Sequence, residues 1–164
     1  IKGIDGKQVV SVVDVDRGKA KPGQKVVVCG AGLSGAECAM GLGKEGKEVT
    51  LVDLRPEDQL YKTLKDFTLP IFKKLLRDNG VKTLYETGVQ EITEQGVLVK
   101  MADGQTQLLE ADTVVLAFGL KADQAMIQAL ADVIPETYVI GDARKVGVIG
   151  DATNDAYRVC LEIQ

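Results

Sequence analysis

Three glycines and one carboxylate are the residues of this chain whose types and spacing suggest chemistry. A short apolar run leads into a G-x-G-x-x-G pattern, and a second apolar run ends at Asp53, about twenty residues further on. The glycines of the pattern are Gly30, Gly32 and Gly35. Between the two runs lies a segment with a helical pattern, which we expect to stop at Gly46. The order strand, glycine turn, helix, strand and acid is typical of a dinucleotide-binding unit.

Each part of this pattern has a physical reason. Gly30 permits the tight turn that leaves the first strand, and Gly32 has no side chain that would hold a pyrophosphate away from the backbone. The N–H groups at the helix start lack intrahelical partners and the dipole there is positive, so an anion is stabilised at that point. Asp53 is expected to accept hydrogen bonds from both hydroxyls of an adenosine ribose. The predicted cofactor-binding residues of this region are Gly30, Ala31, Gly32, Leu33, Ser34, Gly35, Asp53, Leu54 and Arg55.

The same carboxylate predicts a preference for NADH over NADPH, because a 2′-phosphate would lie close to its negative charge. Two unit charges about 4 Å apart repel by roughly 1 kcal/mol in water and by about 4 kcal/mol at a partly buried site. Arg55 follows the acid by two residues and could meet a 2′-phosphate or stack on adenine, which would offset part of the preference. A solvated loop arginine is at least as good an interpretation of Arg55.

The composition argues against several other classes of function. The 164 residues carry a net charge of −4 and a pI near 5.0, which disfavours binding to nucleic acid or to an acidic membrane surface. No apolar run approaches the length of a membrane span. Histidine is absent, and the three scattered cysteines, Cys29, Cys38 and Cys160, fit neither a disulfide framework nor a redox dithiol. We therefore expect a cytoplasmic protein without a metal site in this chain.

Hydrophobic periodicity predicts an α/β fold with a Rossmann-like parallel sheet. Thr68 is expected to cap a helix with Pro70 in its first turn and Gly80 at its end, and a weaker helical pattern covers residues 54–65. Residues 9–15 could form a strand or a short helical turn. The strands expected in the parallel sheet are Val26–Cys29, Val49–Val52, Val81–Tyr85 and Thr113–Ala117.

Three further strand-like runs are separated by turn signals at Gln95-Gly96 and Asp103-Gly104. They predict an antiparallel meander that serves as the crossover, where helix and strand would otherwise continue. The runs are Val89–Thr93, Gly96–Met101 and Thr106–Ala111. After the last strand of the parallel sheet we expect a helix, a short strand and a final helix, at Ala125–Leu130, Tyr138–Ile140 and Asp151–Ile163.

The sequences GAGLSGAE, VVLAFG and YVIGD, with a meander between the first two, resemble the flavoprotein reductases of the glutathione-reductase-like family. In that family an NAD(P)H domain is inserted within an FAD domain. The resemblance implies that Glu37 lies near the nicotinamide, although a surface acid at a helix start is an even alternative. It also implies that the chain returns toward the FAD domain at Phe118 and Gly119. Gly141 and Asp142 match the motif whose acid binds the FAD ribitol.

A narrower resemblance covers nearly the whole chain. The opening GIDGKQVVSVVDVDRGKAKPGQKVVV and the ending YVIGDARKVGVIGDATNDAYRVCLEI are similar to the NADH:flavin oxidoreductases of the 2-enoate and 2,4-dienoyl-CoA reductase group. This resemblance implies a parent enzyme with an FMN-binding barrel, an iron–sulfur cluster and an FAD/NAD(P)H module. It predicts that residues 1–22 are a flanking segment that comes from the FAD-domain side and that residues 23–119 form the NAD(P)H-binding domain. Residues 120–164 are expected to return toward the FAD domain and to end in a helix.

The expected ligand of this chain is NADH, and its expected partners are the FAD and barrel domains of a parent chain. FAD, FMN and the cluster are expected only in the full-length enzyme, because a second G-x-G-x-x-G and a cysteine run are missing here. We expect no catalytic acid or base in this chain, since the cofactors carry the chemistry. Two alternatives stay open: another flavoprotein disulfide-type reductase or NADH oxidase, and a non-catalytic dinucleotide-binding module.

Overall fold

The computed structural model describes residues 1–62, 64 and 67–163. It divides the chain into two compact units, Ile1–Phe118 and Gly119–Gln164. Among the described residues, no helix combines the length and the apolar character that a bilayer crossing requires.

The first unit consists of a parallel sheet, its helices and a separate antiparallel sheet. Its helices are α1 (Val12–Asp16), α2 (Leu33–Lys44) and α3 (Thr68–Asp78). Its strands are β1 (Val9–Ser11), β2 (Lys25–Cys29), β3 (Glu48–Val52), β4 (Lys82–Leu84), β5 (Gly88–Thr93), β6 (Gly96–Lys100), β7 (Thr106–Glu110) and β8 (Thr113–Leu116). The α/β fold with a parallel sheet and an antiparallel meander is confirmed.

The parallel sheet has the strand order β1-β8-β2-β3-β4, so the glycine-bearing strand β2 lies at its centre. Residues Val26–Cys29 of β2 are almost wholly buried because both faces of the sheet are covered. Successive side chains alternate between the faces. Val26 and Val28 pack in the cluster that holds Ala36, Ala39 and Leu42 of α2, whereas Val27 and Cys29 pack in the cluster that holds Val97, Val99 and Leu109 of the meander.

The antiparallel sheet has the order β5-β6-β7. The β5–β6 hairpin pairs Thr93 with Gly96, so its connecting residues are Glu94 and Gln95 rather than the expected Gln95-Gly96 pair. Gly96 has φ +142°, and a Cβ on it would lie 2.0 Å from the carbonyl oxygen of Leu109. Gly96 is therefore required by its place within the sheet more than by the turn.

The opening segment, expected to flank the NAD(P)H-binding domain, supplies the edge strand of its sheet. Val9–Ser11 pairs in parallel with β8, and the five residues that follow form α1. Residues 9–15 were expected to form a strand or a short helical turn, and they contain both. The first compact unit accordingly begins at Ile1. The assignment of residues 1–22 to the FAD-domain side stays a prediction.

Two expectations in the stretch between β3 and α3 were wrong. The helical pattern over 54–65 gives only a 3-10 turn at Glu57–Gln59, while Thr63 and Lys65 lie outside the described residues. The residue that caps α3 is Phe67, so Thr68 is the first helical residue instead of the cap. The apolar spacing located the helix correctly, but a threonine at its start did not distinguish the cap from the first turn.

The small residues of α2 approach two different neighbours. A Cβ on Gly35 would lie 2.0 Å from the carbonyl oxygen of Gly30, so this end of the helix rests directly on the glycine turn. Ala39 is fully buried. A Cβ on Gly43 would instead lie 2.3 Å from the carbonyl oxygen of Asn79, which follows α3. Gly35, Ala39 and Gly43 lie four apart, a spacing that predicts one small-residue face against the strands, but Gly43 instead allows close contact between two helices.

The second unit contains α4 (Gln124–Val133), a 3-10 turn at Gly141–Ala143 and α5 (Ile149–Glu162). The strand predicted at Tyr138–Ile140 was wrong, because this stretch is irregular and pairs with no strand among the described residues. The final helix, expected at Asp151–Ile163, begins two residues earlier, so Gly150 and Asp151 both lie in its first turn. The carboxylate of Asp151 accepts a hydrogen bond from the N–H of Val148, 3.0 Å away, and so caps the helix.

The close approach of α2 to the glycine turn gives a prediction with a matched control on the same helix. We expect Gly35→Ala to lower the free energy of unfolding by about 1–3 kcal/mol, because the new methyl group overlaps a fixed carbonyl oxygen. Gly41 is exposed and a Cβ on it would meet nothing within 4 Å. Gly41→Ala should therefore raise the free energy of unfolding by about 0.5–1 kcal/mol. Urea unfolding followed by circular dichroism measures both, and equal effects would contradict the packing described.

Candidate functional site

The glycine turn at the end of β2 holds a conformation that only glycine adopts readily. Gly30 has φ +108°, and a Cβ on it would lie 2.3 Å from the carbonyl oxygen of Ala117 on the neighbouring strand end. Its N–H donates to the carbonyl oxygen of Val52, 2.8 Å away. The turn is thus held between the ends of β8 and β3, at the carboxyl edge of the parallel sheet, where ligands of such sheets bind.

Gly32 lies at the N-terminus of α2 beside open space. Its backbone is extended, with φ −63° and ψ 175°, and it caps the helix without a side-chain hydrogen bond. A Cβ on Gly32 would meet nothing within 4 Å, in contrast to Gly30 and Gly35 on either side. Since no fold contact requires glycine at this position, the open space is the feature that suits an approaching phosphate. The first-turn N–H groups, those of Leu33, Ser34 and Gly35, have no intrahelical acceptor to satisfy them.

Asp53 lies directly after β3 and reaches across to the glycine turn. One carboxylate oxygen, Oδ2, accepts a hydrogen bond from the N–H of Ala31, 2.8 Å away. The residue is about 8% exposed, which is unusual for an acid unless it is paired. The structure therefore places the predicted ribose-binding acid beside the predicted pyrophosphate-binding loop, although the two are separated by a helix and a strand in the sequence.

Arg55 pairs with Asp53, which the sequence patterns did not indicate. Its Nε donates to Oδ1 at 3.0 Å and its Nη2 to Oδ2 at 2.9 Å, while its backbone N–H also donates to Oδ1 at 2.8 Å. Burial raises the pKa of Asp53, but the bonds from Arg55 and Ala31 and the guanidinium charge outweigh it and leave the pKa below its ordinary value. The short spacing of acid and arginine was the available signal for this pair.

Four further predicted residues are exposed. Glu37 points outward from the first turns of α2, and Leu54 and Phe118 are large apolar side chains that the first unit leaves accessible. Gly119 has φ +95° and begins the second unit. These positions leave Glu37, Leu54, Phe118 and Gly119 accessible, and their roles stay predictions.

In the second unit, Gly141 and Asp142 lie in a turn that is held by an acid absent from the sequence predictions. Asp155 of α5 accepts a hydrogen bond from the N–H of Gly141 at 3.2 Å and two from Arg144, through Nε at 2.9 Å and Nη2 at 2.5 Å. The bonds from Arg144 hold the pKa of Asp155 below its ordinary value. Oδ1 of Asp142 accepts from the N–H of Gly147 at 3.1 Å. The sequence carried no local signal for Asp155, which reaches back to this turn from about two turns along α5.

Two of the three cysteines, Cys29 and Cys38, are buried. Burial raises the pKa of the Cys29 thiol to about 12, and burial with the nearby acids Asp16 and Glu45 raises that of Cys38 to about 11. Both thiols are therefore protonated at neutral pH and are poor nucleophiles. In the described part of the chain, no group of three or more histidine, cysteine or acidic residues could hold a metal ion.

The fold and these side chains can be compared with known proteins. The model of the pyridine nucleotide-disulphide oxidoreductase family matches residues 1–154 of the chain. The chain belongs to this family. Flavoprotein oxidoreductases of this kind use NAD(H) and a flavin, and the resemblance to flavoprotein reductases is confirmed at that level.

Two curated proteins are similar to this chain over almost its whole length. A metal reductase of Desulforamulus reducens (strain ATCC BAA-1160 / DSM 100696 / MI-1) is 32% identical over 96% of this chain and 28% of its own length. A cinnamate reductase of Clostridium sporogenes (strain ATCC 7955 / DSM 767 / NBRC 16411 / NCIMB 8053 / NCTC 8594 / PA 3679) is 30% identical over 99% of this chain and 24% of its own length. The chain thus spans about a quarter of the length of these relatives.

Among solved structures, a 2-naphthoyl-CoA reductase in complex with 2-naphthoyl-CoA superimposes with a TM-score of 0.91. It is 32% identical, and the match covers 100% of this chain and 25% of the reductase chain. The α/β architecture of a pyridine nucleotide-disulphide oxidoreductase is therefore confirmed, together with the antiparallel sheet that interrupts it.

The depressed pKa of Asp53 predicts a specific pH dependence of stability. We expect Asp53→Asn to lower the free energy of unfolding by about 1–3 kcal/mol at neutral pH, because hydrogen bonds to a charged acceptor are lost. A lowered folded-state pKa contributes stability that is complete above the unfolded value of about 3.9 and is lost as pH falls through the folded value. The difference in the free energy of unfolding between wild type and Asp53→Asn should therefore become smaller below about pH 4.

Urea unfolding at a series of pH values between about 7 and 2 measures this difference. Asp58→Asn is the control, because Asp58 is an exposed acid of the same connection for which a smaller effect is expected. A difference for Asp53→Asn that stays constant across the acid range would show that the charge of this carboxylate does not support the fold.

Proposed function

We propose that the first unit binds NADH at the carboxyl edge of its parallel sheet. The pyrophosphate would lie over Gly32, against the first-turn N–H groups of α2. The adenosine ribose would lie at Asp53, and the nicotinamide would extend past Glu37. Bound NADH supplies a hydride, and the residues of this chain bind and orient the cofactor that carries it.

The observation that carries this proposal is the contrast among the three glycines. Gly30 and Gly35 are required by backbone contacts of the fold, whereas Gly32 adjoins empty space at an uncapped helix N-terminus. The ribose-binding acid reaches the same loop, 2.8 Å from the N–H of Ala31. A phosphate and a ribose of one ligand could therefore be bound together, which a purely structural glycine turn would not require.

For the whole protein we propose a flavin-dependent reductase of enoate or enoyl-CoA type, with this chain as its NADH-binding module. Similarity over the full chain to a cinnamate reductase and to a 2-naphthoyl-CoA reductase supports this choice. FMN and an iron–sulfur cluster would belong to a barrel domain outside the chain. This chain would bind and orient the nicotinamide cofactor for the flavin domains.

We propose further that the second unit joins the FAD domain of the parent protein. Asp142 would bind the FAD ribitol from the turn that Asp155 and Arg144 hold. The helices of this unit also expose large apolar side chains that an adjoining domain could cover. The most exposed of these are Val133, Ile149 and Leu161.

A second candidate for the whole protein is a metal reductase, which the similarity to the Desulforamulus reducens protein favours. The two candidates share the NADH site and differ in the electron acceptor. Oxidation of NADH by the full-length protein, with cinnamate or with a ferric chelate as acceptor, separates them.

The NADH site is tested by a substitution at Gly32 and a matched one at Gly41. We expect Gly32→Val to weaken NADH binding by about tenfold or more, since a branched side chain would occupy the pyrophosphate space and displace its bonds to the helix start. Gly41→Val places the same side chain in open space further along the same helix and should leave the affinity unchanged. Titration of the purified chain, followed by NADH fluorescence, measures both.

The stability of each variant is recorded in parallel. A β-branched residue in place of glycine at a helix cap costs at most about 2 kcal/mol, so Gly32→Val should remain folded. Wild-type affinity in folded Gly32→Val would refute the placement of the pyrophosphate.

A further inference from the structure

The carboxylate of Asp53 is fully occupied by groups of the protein itself. Its two oxygens accept four hydrogen bonds, from the N–H groups of Ala31 and Arg55 and from Nε and Nη2 of the Arg55 side chain. A carboxylate offers about four lone-pair positions, so none is left for another donor. An acid placed to bind a ribose is therefore closed to it while Arg55 keeps this position.

The four donors differ in how easily a ligand can displace them from Asp53. The N–H of Ala31 belongs to the glycine turn, and the backbone beside Arg55 is held by two further bonds. The carbonyl oxygen of Asp53 accepts from the N–H of Thr87 at 2.9 Å, and that of Arg55 accepts from the N–H of Glu86 at 3.2 Å. The guanidinium, in contrast, is attached to the backbone only through the flexible Arg55 side chain. That side chain is 52% exposed and can move into solvent, whereas the side chain of Asp53 is 7% exposed. A ligand can displace the guanidinium without disturbing the backbone.

The guanidinium occupies two acceptor positions on Asp53, and the two hydroxyls of a ribose need two acceptors. NADH would donate its adenosine hydroxyls to the oxygens that Nε and Nη2 now occupy, and the arginine would have to move into solvent. The ion pair that is lost is partly exposed, so its loss lowers the affinity for NADH without preventing binding. Arg55 is therefore a competitor of the ribose for Asp53.

A 2′-phosphate changes this balance in the opposite direction. A bare Asp53 would repel the phosphate, but the paired guanidinium neutralises the carboxylate, and its remaining N–H groups, on Nη1 and Nη2, can donate to phosphate oxygens. Arg55 therefore favours the binding of NADPH, which the carboxylate of Asp53 disfavours. Its presence lowers the affinity for NADH and raises the affinity for NADPH.

We propose that Arg55 is a displaceable cap on Asp53 and that it determines how far this site prefers NADH to NADPH. The inference rests on the proposed function of the first unit as a dinucleotide-binding module. It assigns to Arg55 a role in specificity that is separate from holding the fold. The wild-type preference for NADH is smaller than the carboxylate alone would produce.

The test compares Arg55→Met, which keeps the apolar stem and the backbone N–H but removes the charge, with wild type. We expect NADH binding to tighten by about threefold and NADPH binding to weaken by about tenfold, so that the ratio of dissociation constants changes by about thirtyfold. Arg55→Lys keeps the charge without the fork and should fall between the two. Arg77→Met removes one positive charge from the exposed last turn of α3 and should leave the ratio unchanged.

Fluorescence titration of the purified chain with NADH and with NADPH gives each dissociation constant, and circular dichroism confirms that each variant is folded. An unchanged ratio in Arg55→Met, or an equal loss of affinity for both cofactors, would overturn the role of Arg55 while leaving NADH binding established. A wild-type chain that binds neither cofactor would instead refute the proposed function itself. If Arg55→Met is unfolded, the ratio in Arg55→Lys decides between these outcomes.

Discussion

The hydrogen bond between the carboxylate of Asp53 and the N–H of Ala31 links the two strand ends on which the candidate site depends. The bond joins the end of β3 to the glycine turn after β2, across the carboxyl edge of the sheet. A buried acid is stable here only because its hydrogen-bonding capacity is filled by backbone donors and a guanidinium. The geometry of the turn, the start of α2 and the ionisation of the acid are consequently interdependent.

The features that could be predicted are those that local sterics and periodicity determine. Gly30 is needed because φ +108° and the nearby carbonyl of Ala117 exclude a Cβ, so the turn itself makes glycine predictable at this position. The apolar runs of β2 and β3 are buried on both faces, so their composition indicates strands directly. The meander was recognisable from short runs separated by turn residues, because each of its strands pairs with the next along the chain.

The features that could not be predicted depend on partners that are remote in sequence or on the choice of a rotamer. Tyr138–Ile140 has the composition of a strand, but a strand also needs a partner strand to pair with, and this stretch pairs with none among the described residues. Gly43 lies near Asn79 only because α2 and α3 are packed together. The pairing of Arg55 with Asp53 requires one conformation of a long side chain, which spacing permits but does not impose.

The proposed dinucleotide site of the first unit lies over the start of α2 and beside Asp53. The most direct test is the change in amide ¹H–¹⁵N chemical shifts of the labelled chain on titration with NADH. We predict saturable shifts that are largest at residues 31–35 and 53–55, with the amides of Gly150 and Asp155 in the second unit little affected. Shifts that are absent at saturating NADH, or that are centred on other residues, would contradict the account.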